Sequence, residues 1–142
     1  MRITTILKEI ELPKEINIKE FHNCYFPYIQ NICKEEGWLT FVEREEKSMN
    51  AFLNSNICLV ILDNKKVIGY LRGITDKHIS TYIAELLIQK DYRGQGLGSL
   101  LLEVSHRMYP ECRLEVLATS GSKDYYEYKG FRPFYGMRKG FI

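Results

Sequence analysis

Residues Gln89 to Ser105 read QKDYRGQGLGSLLLEVS, and this stretch leaves the rest of the chain little freedom. Gly94, Gly96 and Gly98 follow Arg93 and lead into Leu97, Leu100, Leu101, Val104 and Met108, apolar positions spaced at three and four residues. Upstream, Tyr82 to Ile88 has the length and residue types of a buried strand. A strand, a glycine-rich turn and a helix start form a holder for an anion. Main-chain N–H groups are unpaired in the first helical turn, the helix dipole favours negative charge there, and glycine lets a ligand approach the backbone. Pro110 ends the helix, and Leu114 to Ala118 reads as the strand that follows it. A strand reached through one helix is a right-handed crossover, so the two strands are expected to run parallel.

Composition bounds the class of protein. The chain has 142 residues, enough for one domain with a real core, and 45% of them are apolar. Its net charge of +2, with no long basic run, argues against nucleic acid as a partner. Cys24, Cys33, Cys58 and Cys112 form no Cys-x-x-Cys pair, and His22, His78 and His106 show no ligand spacing. Buried free thiols and no metal are therefore expected. The N-terminus, MRITTILKEIEL, lacks an uninterrupted apolar segment, and no stretch approaches membrane-spanning length. The expectation is a reduced, soluble, cytoplasmic protein with no membrane partner, monomeric or homodimeric.

Taken in order, residues 2–11 alternate loosely (Ile3, Thr5, Leu7) and predict a first strand ended by Pro13. Ile18, Phe21, Tyr25, Tyr28, Ile29 and Ile32 mark one helical face, in which Pro27 must kink the helix or start a second one. Gly37 is the expected stop. Thr40 and Glu43 have capping-box spacing, and Val42, Met49, Phe52 and Leu53 predict the buried side of the next helix. Ile57–Leu62 and Val67–Ile74 predict a hairpin around a polar turn, with Gly69 and Gly73 marking a bulge or a close backbone approach. Ile79 to Ile88 adds a third antiparallel strand. After the crossover, Lys123 to Lys129 predicts a short helix capped by Gly130, and the tail FRPFYGMRKGFI predicts one or two strands closing the sheet. The sum is a single α/β domain over 1–142: a mixed central sheet with helices on both faces, an antiparallel meander followed by a parallel β-α-β crossover.

The glycine loop admits three readings. A Walker loop requires Gly-x-x-x-x-Gly-Lys-Ser/Thr, which is absent. A dinucleotide fingerprint counted from Gly94 meets Ser99 where its last glycine belongs. The third pattern, Arg-x-x-Gly-x-Gly from Arg93 to Gly98, resembles the acetyl-CoA signature of the GNAT superfamily of N-acetyltransferases. Tyr125-Tyr126-Glu127-Tyr128-Lys129-Gly130-Phe131 is similar to that family's aromatic-Tyr-x-x-x-Gly-Phe segment, at a suitable distance downstream. The element order agrees from about Ile18 onward.

This resemblance implies acetyl-CoA as cosubstrate. The main-chain N–H groups of Arg93, Gly94, Gln95, Gly96, Leu97, Gly98 and Ser99 would cradle its diphosphate. The pantetheine arm would lie against the backbone of Leu86, Leu87 and Ile88, as an added strand does, and an N–H near Leu87 or Ile88 would stabilise the oxyanion. Tyr126 falls on the family's general-acid tyrosine, which protonates the leaving thiolate; Tyr125 and Tyr128 fall to packing. Glu85 is the acid on the strand where family members often carry the general base, though solvent exposure or a pair with Arg72 would also account for it. The family's asparagine after the fifth strand is missing, with Thr119 or Ser120 in that region.

The implied activity is direct transfer of an acetyl group to a primary amine in a ternary complex, a small molecule being favoured over a protein. A non-catalytic CoA-binding sensor of the same fold is the competing class. The SGSKDYYEYKGF segment is also similar to the acetyltransferase domain of the elongator tRNA-modifying enzyme, a reading disfavoured by the near-neutral charge and the lack of a radical-chemistry domain. Acceptor choice is expected to rest on the helices around Pro27, on Trp38, and on Phe134 and Tyr135 through cation–π contacts, with Glu43, Glu45 and Glu46 nearby or simply solvated.

Overall fold

The computed structural model describes residues 3–142. Its sheet has five strands, β1 (Ile16–Glu20), β2 (Ile57–Asp63), β3 (Lys66–Thr75), β4 (Ser80–Ile88) and β5 (Arg113–Val116), side by side in that order. The first three pairings are antiparallel and β4–β5 is parallel. The α/β class, the meander and the parallel crossover are thus as expected. Among the described residues six helices surround the sheet: α1 (Ile3–Leu7), α2 (Phe26–Glu35), α3 (Thr40–Glu43), α4 (Glu45–Leu53), α5 (Leu97–Met108) and α6 (Lys123–Tyr128).

Each face of the sheet buries its own cluster. Alternate residues Leu59, Ile61, Leu71 and Ile83 pack with Leu97, Leu101 and Val104 of α5 and with Ile3 and Ile6 of α1. The other alternation, Val60, Leu62, Tyr70 and Leu87, packs against Phe26, Ile29 and Cys33 of α2 and Phe52 of α4. The period of two along each strand delivers one set to each layer.

Several expectations need correction. From Ile3 onward the first segment is a helix, because Ile3 and Ile6, three apart, are the residues buried; residue 2 lies outside the described residues. Ile18 belongs to β1 rather than to the following helix, paired with Ile61, and Pro27 stands in the first turn of α2, where its missing N–H costs nothing. Thr40 is already inside α3 and no side-chain cap bond forms, so the capping box is not used; Leu53, 57% exposed, is not on the buried side of α4. The tail after Gly130 contains no strand, and Phe134 and Tyr135 are exposed. Of the cysteines, Cys33 and Cys112 are buried, whereas Cys24 is exposed.

The two strand glycines have distinct reasons. A side chain at Gly69 would put its Cβ 2.6 Å from the Leu87 carbonyl oxygen, so only glycine fits that crossing of β3 and β4. Gly73 follows a register shift: Arg72 pairs with Glu85 but Gly73 with Ile83, which leaves Ala84 as an extra residue in β4. That bulge falls where β5 stops following β4.

Candidate functional site

β4 runs through Gln89 into a single 3₁₀ turn, Lys90–Tyr92, and then into the glycine loop. Gly94 and Gly96 have φ of 78° and 79°, left-handed values that fold the loop tightly before α5 begins. The Arg93 N–H is bonded to the Lys90 carbonyl, and the Leu100 N–H to that of Gly96. Between them, every main-chain N–H from Gly94 through Ser99 lacks a hydrogen-bond acceptor among the described residues. The run of unpartnered N–H groups therefore starts one residue after Arg93.

Arg93 braces the loop. Its Nε donates to the Ile88 carbonyl at 2.8 Å and its Nη2 pairs with Glu36 at the end of α2. Tyr92 donates its hydroxyl proton to Asp63 at 2.8 Å, and Gln89 Nε2 bonds Glu35 at 3.3 Å. These contacts fasten the loop's entry to β2 and α2. Sequence reasoning missed Glu36, Tyr92 and Asp63, whose separation in the chain gives no signal.

The parallel pairing of β4 and β5 covers only Ser80–Ile83 against Arg113–Val116. Beyond it β4 continues to Ile88 along β3 alone, so a gap opens between the strands directly below the loop. The Gln89 N–H donates to the Ile68 carbonyl, and main-chain groups alternate sides along an antiparallel pair. Leu87 therefore turns its N–H and carbonyl toward β3, while Leu86 and Ile88 turn theirs toward the gap. Of the three residues expected to receive an extended arm, Leu86 turns its N–H and carbonyl to the gap, Ile88 turns its N–H there while its carbonyl is taken by Arg93, and Leu87 serves the sheet and, 4% exposed, the core.

α6 covers the same region. Tyr126 is 8% exposed, its ring against Phe131 at a centroid distance of 5.4 Å and joined to the α5-side core. Burial, with Tyr125 beside it, pushes the Tyr126 phenol up to about 12; at neutral pH it holds its proton. Tyr125 is not mere packing: its hydroxyl lies 3.2 Å from Ser99 Oγ in the first turn of α5. Thr119 Oγ1 lies 3.2 Å from Ser122 Oγ, and the Thr119 N–H donates to that same oxygen at 3.0 Å. The Thr119 hydroxyl is thus engaged in the turn that starts α6, and Ser120 is exposed.

On the opposite face of β4, Glu85 receives two hydrogen bonds from Arg72, and Arg72 also donates to Ser55 at 3.2 Å. The pairing suggested by the sequence is thus present. The face is roofed by α2 and α4, with Trp38 at 39% exposure beyond them. Phe134 and Phe141 in the tail are already stacked by guanidinium groups, from Arg132 at 4.6 Å and Arg44 at 4.5 Å. No group of three or more His, Cys, Asp or Glu side chains that could hold a metal occurs among the described residues. Nor, among them, is any helix long and apolar enough to cross a membrane.

Comparison with known proteins agrees with this architecture. An uncharacterised N-acetyltransferase, ycf52, of Pyropia yezoensis is 25% identical over 111 residues, covering 75% of this chain and 60% of the relative. The chain therefore spans about three fifths of that relative's length. An acetyltransferase of the GNAT family from Streptococcus pneumoniae TIGR4 superposes with a TM-score of 0.65 at 20% identity, over 87% of this chain and 95% of that one. The PaiA N-acetyltransferase from Thermoplasma acidophilum, in complex with coenzyme A, gives 0.67 at 16% identity over 81% and 87%. Residues 29–139 match the family described as acetyltransferase (GNAT) domain. With that match spanning most of its length, the chain belongs to the GNAT acetyltransferase family.

Proposed function

We propose that the protein is an acetyl-CoA-dependent N-acetyltransferase acting on a primary amine, a small molecule rather than a protein. The observation that carries this reading is the unbroken run of unpartnered N–H groups, Gly94 to Ser99, at the mouth of the gap between β4 and β5. A diphosphate supplies acceptors for such a run, and the dipole of the twelve-residue α5 favours its charge. The extended pantetheine arm follows the N–H and carbonyl of Leu86 and the N–H of Ile88, which brings the thioester toward α6. The coenzyme A bound by the PaiA enzyme supports the same choice of cosubstrate.

Transfer then proceeds by direct attack. The amine nitrogen bonds to the thioester carbonyl carbon, and the oxyanion formed is held by the N–H of Ile88 or Leu86. Collapse breaks the carbon–sulfur bond, and the thiolate takes the Tyr126 proton; the proton lost by the amine restores the phenol through solvent. An alkyl ammonium must lose a proton before it can attack, its pKa being about 10. Glu85, with both oxygens bonded to Arg72, takes that proton through an intervening water rather than by contact. The exposed rings of Trp38 and Tyr135 suit a small cationic acceptor.

The test is an acetyl-CoA consumption screen across small amines, polyamines and amino sugars, with Tyr126→Phe alongside. The reading expects turnover with at least one amine and a loss of about 10²–10⁴-fold in kcat in the variant, with acetyl-CoA binding retained. Binding without turnover on any amine would instead make the chain a CoA-binding module. Unchanged kcat in Tyr126→Phe at every pH would remove the acid role.

A further inference from the structure

The tail after Gly130 is pinned at two points, one on each side of Glu85. A side chain at Gly136 would overlap Leu117, so the tail lies directly against that residue. Val116 pairs with Ile83 at the end of the β4–β5 ladder, so Leu117, the next residue, comes level with Ala84 and Glu85 across the opening gap. Leu114 and Val116 pack on the α5 side, and continuing the alternation carries Leu117 to the other face, the one Glu85 occupies. The second pin is Phe141, whose ring centroid lies 4.5 Å from the Arg44 guanidinium at the α3–α4 junction. One turn before Arg44, Phe41 meets Phe52 at 5.2 Å, and Phe52 lies against the Arg72 guanidinium that holds Glu85.

The residues between the pins have no packing of their own. Met137, Arg138, Lys139 and Gly140 are all exposed, and a Cβ at Gly140 would meet nothing within 4 Å. Glycine at 136 and at 140 lets this short bridge bow at either end. Lys139 stands between the pins, at most roughly 10 Å of extended chain from Gly136. Its charge is uncommitted, for no carboxylate pairs with it among the described residues. The tail carries Arg132, Arg138 and Lys139 and no acidic side chain, whereas Glu43, Glu45 and Glu46 surround Arg44 in the chain. These opposite charges favour a tail lying across this face.

We infer that Lys139 is itself an acceptor of the acetyl group, modified in cis. The inference rests on the acetyl-CoA reading and adds a tethered amine to the free ones. The deprotonated Nζ bonds to the thioester carbonyl carbon, the carbon–sulfur bond breaks, and the CoA thiolate takes the Tyr126 proton. The proton lost by the ammonium passes through water to Glu85 and, by way of solvent, restores the phenol. The products are an acetylated lysine and CoA, with no further reactant. A tether of a few residues gives the amine an effective concentration on the order of millimolar. Acetylation removes the charge, so the modified tail loses its attraction to the acidic corner and the event occurs once per chain.

The experiment is incubation of the full chain with acetyl-CoA and no added amine, read by intact mass and peptide mapping, for the wild type, Lys139→Arg and Phe141→Ala. Both side chains are exposed, so the variants should keep the wild-type thermal midpoint. The expected result is a single acetyl group on Lys139, added at a rate per chain that does not depend on chain concentration. That rate should saturate at the acetyl-CoA concentration that half-saturates binding in calorimetry. Lys139→Arg should stay unmodified, and Phe141→Ala, having lost one pin, should react about 2–5-fold more slowly with acetyl-CoA binding unchanged. Acetyl groups spread over exposed lysines such as Lys47 and Lys123, at a rate linear in acetyl-CoA, would mean chemical acetylation only and overturn the inference. A rate per chain that rises with chain concentration, equal rates in the wild type and Phe141→Ala, or saturable binding with no modification also overturns it, leaving the cosubstrate intact. Failure of the wild type to bind acetyl-CoA overturns the acetyl-CoA reading, and the inference with it.

Discussion

Arg72 and Glu85 stand opposite each other on β3 and β4, at the last regular pair before the β4 bulge, and meet twice, at 2.7 Å and 2.6 Å. Their side chains are 14% and 15% exposed. Two charges so placed have lost most of their hydration, and each is compensated by the other; removing one strands its partner. Arg72→Met is expected to cost about 3 kcal/mol, read from urea denaturation, and the Arg72→Met/Glu85→Met double variant should be more stable than the sum of the single effects predicts. Glu85→Gln separates the two roles of the residue. A structural role alone lowers stability and leaves kcat well below the unfolding transition unchanged, whereas the water-relayed base role also lowers kcat.

Phe52 is the hub beneath that pair. It is 1% exposed and meets the rings of Phe21, Phe26, Phe41 and Tyr70 at centroid distances of 5.3, 5.3, 5.2 and 5.5 Å. Truncation leaves a cavity that four rings on different elements cannot all move to fill. Phe52→Ala should cost about 3–5 kcal/mol, seen as a lower denaturation midpoint with unchanged slope. A cost below about 1 kcal/mol would mean that α4 is not anchored as described.

Asp76 organises the turn between β3 and β4. Its Oδ1 accepts from the N–H groups of Ile79, Ser80 and His78 at 2.8, 3.0 and 2.9 Å, and these bonds hold its carboxyl down at about 2, against an ordinary 3.8. The depressed folded-state value means that the ionised form stabilises the fold: fully above about pH 4, and progressively less as pH falls through about 2. The thermal-midpoint difference between wild type and Asp76→Ala should therefore be constant above that window and shrink below it. A carboxyl titration by NMR with a midpoint near 3.8 would contradict the assignment.

The glycine loop, the crossover and the segment from Tyr125 to Phe131 were legible because each depends on local chemistry: left-handed glycines, a helical period, a short capped helix. Ile18 was misassigned because β1 is an edge strand with one buried residue, which leaves no alternation to see and lets Ile18 fall in step with Phe21 and Tyr25. The tail misled for a related reason, since its aromatic residues have strand propensity but meet no ladder partner. Glu85 was suspect as a charge in an apolar strand, and Arg72, thirteen residues away, became its partner only through the register of β3 and β4. Leu87 and its neighbours differ in role by the alternation of main-chain direction, which is a property of the pairing and not of the residues. The bracing of the loop by Glu36, Tyr92 and Asp63 is long-range and left no trace in sequence spacing.

The account's central claim is that Gly94 to Ser99 holds the diphosphate of acetyl-CoA. Gly96 has a φ of 79°, and a Cβ there would meet nothing within 4 Å, so a large side chain at this position is strained by about 1–2 kcal/mol and projects into open space beside the loop. Calorimetric titration of acetyl-CoA into the wild type and Gly96→Leu, with the variant's fold checked by circular dichroism, is the most direct measurement. The account predicts saturable one-to-one binding by the wild type and its loss in a folded Gly96→Leu. Absence of binding by the wild type, or equal binding by the variant, would contradict it.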